Sequence, residues 1–406
     1  MSRPPRLALS ALTGVLLVAG CGSGGPGAAD DTSDDAAAPS PSGGHGYVEG
    51  AAELTEPQLQ LAYLDGAGSV HALDLLTEEQ AELGSVGEVS SVATDGRFLF
   101  AASEAAGELT VVDTGTWTVD HGDHVHYYRA PAQVVGRLDW SGEVRVASSE
   151  TLTALFSPDT GTGVVLDRAA LGQGEVEEVA SVGGEPHDGA LVPLGNWLVA
   201  TTADSVVGLD AEGEPLPGGG AECADPRGGH PTRVGVVVSC ADGAVLATGG
   251  GDTIAFERIP YPEPVAEGER AAGLDNRAGR PSVAAPAGQR GVWVLDSRAR
   301  SWQLVPTDTP WVHAVAADDA DDRVVGVDAA GRVVVLTPEG GAVAATEPLL
   351  PVDRLAEVDL QVDADRAYVN VPGGDRLIEV DYADGARVAR TFATEVEPAH
   401  LAETGL

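Results

Sequence analysis

Short apolar, β-branched runs recur along most of this chain, set apart by Gly, Asp and Asn turns, and that rhythm most constrains the fold. Residues 59–64, 97–102, 109–113, 197–201, 234–239, 291–296, 323–328 and 332–337 are such runs, and 365–371 and 376–382 continue the series. No stretch sustains a helical period, so the chain is predicted to be all-β. The runs also repeat at a coarser scale. Units opening near Ser91, Asp188 and Ala314 share one order: a strand, a polar turn, then a second strand. Further units open near Val144, Thr232, Ser282 and Val358. Their starts fall roughly 32–50 residues apart, the length of a propeller blade. An eighth unit is assembled from both ends, with His400-Leu-Ala-Glu-Thr as its innermost strand beside 59–64 and 70–75. The expectation is a single β-propeller over 57–406 with eight blades, closed by its terminal strands, which removes exposed sheet edges. Seven blades is the alternative. Two β-sandwiches are the runner-up, and the blade-length repeat argues against them. Aromatic residues are only 4% of the chain, so small apolar side chains must fill the core.

The N-terminal segment reads as an export signal. Arg3 and Arg6 precede an apolar stretch, 7–19, too short to span a bilayer. Val18-Ala19-Gly20-Cys21 follows and resembles the lipobox of bacterial lipoproteins. Residues 1–20 are therefore expected to be removed and Cys21 acylated. That places the chain at the cell membrane, lipid-anchored and facing the extracytoplasmic side. An ordinary secretory cleavage site beside a chance cysteine is the alternative. Residues 21–56, rich in Gly, Asp and Pro, are expected to be a disordered tether ending near His45. Cys223 and Cys240 remain as a pair in an oxidising compartment, and a disulfide is expected. The formal charge is −40, and all 23 basic residues are Arg. Nucleic acid is excluded as a partner, because phosphate binding needs clustered positive charge.

Chemistry concentrates in the histidines. His121, His124 and His126 fall within six residues, with Asp120 and Asp123 among them. His124 and His126 lie two apart, so on a strand they face one side. Gly122 lets the loop turn and bring His121 round. Neutral imidazoles with a carboxylate suit Zn2+, while copper and nickel compete on affinity. A chance histidine-rich surface loop is the plain alternative. Four more histidines occupy one repeat position: His187, His230, His313 and His400 each stand at the start of an innermost strand. In a propeller those junctions crowd one mouth of the channel, so His187, His230 and His400 are expected to converge there with the 121–126 loop. A hydrogen-bonded ring without metal is the competing reading. Glu104, Asp123 and Asp188 are the carboxylates expected nearby. His71 reads as a surface residue. Cys223 and Cys240 bracket His230, so their bridge would pin its loop.

The stretch Trp117-Thr-Val-Asp-His-Gly-Asp-His-Val-His-Tyr-Tyr-Arg-Ala resembles the signature of AztD-type zinc metallochaperones. The likeness extends over roughly 57–406 and takes in Pro-His-Asp-Gly at 186–189 and Ala-His-Leu-Ala-Glu-Thr-Gly at 399–405. It implies an extracytoplasmic propeller that loads the solute-binding protein of a zinc ABC transporter. It also carries His121, His124, His126, His187 and His400 over as metal-site residues. His230 rests on the repeat alone. Family members with a His-rich acidic N-terminal segment differ from this chain, whose tether has only His45.

The chain is thus expected to be a non-enzymatic zinc carrier. Two rivals stand beside that expectation. One is a metal-dependent, lactonase-like propeller hydrolase. The other is a metal-free propeller that binds a protein or cell-wall ligand. The sequence has no assembled nucleophile and base beyond the histidines themselves.

Overall fold

The computed structural model describes Val48 and residues 50–121, 124–250 and 253–406. The signal segment 1–20, Cys21 and His45 lie outside the described residues, as do Gly122 and Asp123. Within them the fold is almost entirely β, with one short α-helix, Arg168–Gly172, capped by the Asp167 carboxylate. No helix among the described residues is long and apolar enough to cross a membrane.

Eight antiparallel meanders follow one another along the chain. The second is typical: Ser91–Thr94, Phe98–Ser103, Glu108–Asp113 and Gln133–Asp139 pair in chain order. The first meander borrows its leading strand from the C-terminus. His400–Thr404 pairs with Gln60–Leu64, from His400 opposite Leu64 to Thr404 opposite Gln60. Ser69–Asp74 and Gln80–Ser85 complete it. The sheet assembled from the two chain ends is therefore present as expected. Each meander remains its own sheet, and none of the sheets closes on itself.

The alternation of side chains explains the continuous apolar runs. Leu61 and Tyr63 pack with Tyr368, Leu377 and Leu401, towards the eighth sheet. Ala62 and Leu64, which alternate with them in sequence, pack with Leu99, Ala101 and Val112 of the second sheet. Successive residues of a strand point to opposite faces, and here both faces are buried. The core is accordingly a series of clusters between neighbouring sheets. Phe98, Phe100, Leu109, Leu155 and Leu166 join the second and third sheets, and Val325, Val335, Val369 and Ile378 join the seventh and eighth.

The repeat boundaries need two corrections. Thr232 lies beyond the first strand of its sheet, Gly229–Pro231. Ser282 opens the second strand of its unit. The innermost position there is held only by Asp275, bridged to Ala284, and by Asn276, bridged to Ala316. Gly273 and Gly279, both at positive φ, bracket that short segment, so no apolar run marks it in the sequence. The tether is also shorter than expected. Ala52–Leu54 forms a strand because its neighbour, Val125–Arg129, offers a free edge to pair with. His71 is buried, not exposed, stacked on Tyr63 at 5.2 Å.

Cys223 and Cys240 form the expected disulfide, with Sγ atoms 2.02 Å apart. Both lie in the apolar cluster between the fourth and fifth sheets, and the chain between them carries His230.

Candidate metal centre

In the second sheet the chain does not pass directly from Glu108–Asp113 to Gln133–Asp139. It first makes an inserted hairpin, Thr116–Asp120 and Val125–Arg129. Both arms are rich in aromatic and β-branched residues, which favour extended backbone. Their register sets Trp117 opposite Tyr128, Val119 opposite His126 and Asp120 opposite Val125. The His121 amide donates to the His124 carbonyl at 3.0 Å and closes the tip. With a side-chain period of two, Trp117, Val119, His124, His126 and Tyr128 share one face.

The three imidazoles meet on this hairpin. Their ligand atoms all lie within 4.8 Å of one another. Ring centroids are 4.9 Å apart for His121 and His124, 5.3 Å for His121 and His126, and 4.9 Å for His124 and His126. His121 and His124 are exposed, and His126 is half-buried. Among the described residues this is the one group of three or more His, Cys, Asp or Glu side chains close enough to share an ion.

A residue expected in the tether adjoins the trio. Glu53, on the third strand of the hairpin sheet, lies opposite Tyr128 in register. Its Oε1 is 2.7 Å from His126 Nδ1. A neutral imidazole donates from one nitrogen and coordinates through the other, so Glu53 selects the tautomer that leaves Nε2 as the donor to a metal. No local motif marks Glu53. Only strand pairing brings it to His126.

An aromatic column underlies the site. The His126 ring lies over Tyr128 at 6.1 Å and 17°, and Tyr128 over Trp117 at 5.3 Å and 25°. The Arg97 guanidinium sits 3.7 Å from the Trp117 ring centre and grips Asp113 through two bonds, of 3.1 and 2.7 Å. Cation–π and bidentate contacts of this kind hold a side chain in one orientation. Burial, and then the charge of Glu53, push the Tyr128 phenol above its ordinary value. The hairpin is fastened to the C-terminus, where Thr118 Oγ1 donates to the Gly405 carbonyl at 2.6 Å.

The other predicted ligands do not join the hairpin trio. Thr118 bonds beyond the end of His400–Thr404, whereas His400 begins that strand. At ~3.3 Å per residue the two points are about 17 Å apart along it. His187 is held by its own surroundings, with Nδ1 2.8 Å from the Glu185 carbonyl and Nε2 2.8 Å from Thr201 Oγ1. His230 Nε2 is 3.0 Å from Asn276 Oδ1 and 3.9 Å from Asp275 Oδ1. Burial lowers His313 and His400 below the ordinary imidazole value. Asp188 is paired with Arg145 at 2.6 Å. Glu104 sits in the turn before Glu108–Asp113, its amide on Ser90 Oγ at 3.1 Å. Of the histidines placed at strand starts, only His400 opens one: His187 lies four residues before Leu191–Leu194, His230 is the middle residue of Gly229–Pro231, and His313 is the third residue of Trp311–Ala316. The hairpin, however, is inserted between a third and a fourth strand, after Asp113.

No protein-family model matches the chain. Among solved structures it is similar to AztD from Citrobacter koseri, with a TM-score of 0.73 and 18% identity. That match covers 86% of this chain and 98% of the other. The apo form of the same protein matches with a TM-score of 0.73, 17% identity and the same coverage. Sqt1 from Saccharomyces cerevisiae is more distant, with a TM-score of 0.51 and 13% identity over 84% of this chain and 95% of its own. In its fold the chain is similar to AztD, in keeping with the resemblance of its histidine segment to the AztD-type signature.

Proposed function

We propose that this chain is an extracytoplasmic zinc metallochaperone. In this reading it holds Zn2+ on the hairpin and passes it to the solute-binding protein of a zinc ABC transporter. The observation that carries it is the trio His121, His124 and His126, whose ligand atoms lie within 4.8 Å of one another. Three neutral imidazoles backed by a carboxylate suit zinc and leave a fourth position for an incoming ligand. The fold likeness to AztD supports the same reading. An open, three-ligand site at a hairpin tip favours hand-over by ligand exchange. His121 and His124 are the exposed ligands that a partner displaces first, and His126, held by Glu53, is the last to let go.

The eight meanders are taken as blades of one closed propeller. The packing of Leu61 and Tyr63 against Tyr368 and Leu377 joins last blade to first and supports this. Cleavage after residue 20 and acylation of Cys21 are taken to anchor the chain at the membrane surface. No catalytic role is assigned.

Zinc titration of the dialysed protein tests binding, with a stoichiometric, high-affinity site expected in wild type and its loss in His124→Ala and His126→Ala. Hand-over is tested by mixing zinc-loaded protein with the zinc-free solute-binding protein in the presence of a chelator. Transfer faster than release to the chelator alone is the expected result. Equal rates would refute chaperoning while leaving zinc binding intact.

A further inference from the structure

Most arginines of this acidic chain meet a carboxylate. Arg97 pairs with Asp113, Arg332 with Asp328, and both Arg366 and Arg390 with Glu379. That is expected where 63 acidic residues face 23 basic ones. Arg233, Arg277, Arg280 and Arg376 depart from the pattern. Among the described residues none of these four side chains forms an ion pair, and Arg280 Nε is also buried without a hydrogen-bond partner. A buried donor of this kind is destabilising if nothing satisfies it.

Arg233 and Arg280 line one cleft of about 520 Å³, away from the histidine hairpin. Arg233 lies in the loop before Val236–Cys240, and Arg280 in the loop before Ser282–Pro286. The two loops are joined where the Arg233 amide donates to the Arg280 carbonyl at 3.2 Å. Arg277 stands close by, with Nε donating to the Ala317 carbonyl at 3.0 Å. Burial, and then the charge of Arg280, hold its guanidinium below the ordinary value. Like charges are therefore gathered where partners are otherwise abundant.

The cleft's own acids do not neutralise the pair. Asp318 accepts from the Ser282 amide at 3.4 Å and stands 4.0 Å from Arg298. Asp319 is engaged by Arg323 through side chain and backbone. Asp322 has no ion pair among the described residues, and burial, then the charge of Asp318, push its carboxyl up. Arg298 lines the cleft as well, and none of the three carboxylates pairs with Arg233 or Arg280.

We propose that Arg233 and Arg280 form an oxyanion-binding site that takes the carboxylate or phosphate group of a small molecule. Guanidinium forks match both groups through paired N–H donors. Calorimetric titration of the apo-protein with inorganic phosphate and, separately, with citrate tests the site. Saturable binding of at least one is expected, and the tighter of the two names the source of the oxyanion. Arg233→Ala and Arg280→Ala should each weaken it at least tenfold. Arg280→Lys should fall between, because it keeps the charge and loses the fork. Arg376→Ala, on an exposed strand start outside the cleft, should leave it unchanged. Zinc stoichiometry at the hairpin should be unaltered in every variant, which separates this site from the metal centre. Absence of binding to either anion at about 10 mM, weaker than any specific site of this kind, would overturn the proposal. So would binding of unchanged strength in both Arg233→Ala and Arg280→Ala.

Discussion

Glu53 and His126 stand 73 positions apart in sequence, and their side chains meet at 2.7 Å through Oε1 and Nδ1. The pairing of Ala52–Leu54 with Val125–Arg129 makes that contact, and it sets a carboxylate behind a local run of histidines that could hold a metal.

Glu53→Gln should weaken zinc binding by roughly 10-fold or more, the usual effect of removing a carboxylate behind a ligating histidine. Stability should change little, since Glu53 is largely exposed. Competition against a chromophoric chelator measures the affinity, and thermal melting of the apo-protein checks the fold. An unchanged zinc affinity in Glu53→Gln would remove Glu53 from the centre.

The ligand assignment separates two groups of histidines. His124→Ala and His126→Ala should abolish the site, each removing one of three donors. His187→Ala, His230→Ala and His400→Ala should retain one zinc per chain, because those imidazoles lie outside the trio. Metal analysis after gel filtration distinguishes the outcomes. Loss of zinc in His400→Ala with the fold intact would restore a shared rim site.

Asp359 predicts a pH effect on stability. Burial raises its carboxyl to about 6, against an ordinary value of 3.8, while the Leu401 amide bonded to it at 2.8 Å pulls the other way. Between those two values the folded protein holds the proton more tightly than the unfolded chain. Stability therefore falls as pH rises through this window and stays lower above it. Burial acts in the same direction on Glu403, joined by the charge of Asp363. Asp359→Asn keeps an acceptor for Leu401 and removes the titration. It should raise stability at pH 7.5 by about 1–3 kcal/mol and leave it nearly unchanged at pH 4. Urea unfolding at the two pH values measures this, and a loss of stability at pH 7.5 would contradict it.

The disulfide should matter for stability and not for metal. It bridges residues 17 apart in the core between the fourth and fifth sheets. Closing a loop of this size contributes about 3 kcal/mol by chain entropy. Cys223→Ser with Cys240→Ser should lower the urea midpoint accordingly. Zinc affinity at the hairpin should stay within a factor of two, as the bridge lies in the core between the fourth and fifth sheets and the hairpin is inserted in the second. A large fall in affinity would revive the idea that the bridge organises a site at His230.

Residues close in sequence carried most of what could be read without coordinates. Short apolar runs such as 97–102 and 332–337 marked the strands, because strands buried on both faces read as continuous apolar stretches. His124 and His126 declared a shared face by their spacing of two, a property of any strand. Partners brought together by pairing and packing were not legible. Glu53 looked like one more acid in a tether, and the innermost edge at Asp275 and Asn276 had no apolar run to announce it. His187, His230 and His400 read as equivalent repeat positions, yet they fall before, within and at the start of their strands, and position along the chain does not fix the end of a sheet from which an inserted hairpin leaves. That choice follows from the hairpin leaving after Asp113 and from the anchoring of Thr118 at the C-terminus. Side-chain periodicity acts over a few residues and is written locally, whereas the company a side chain keeps depends on which distant strands pair.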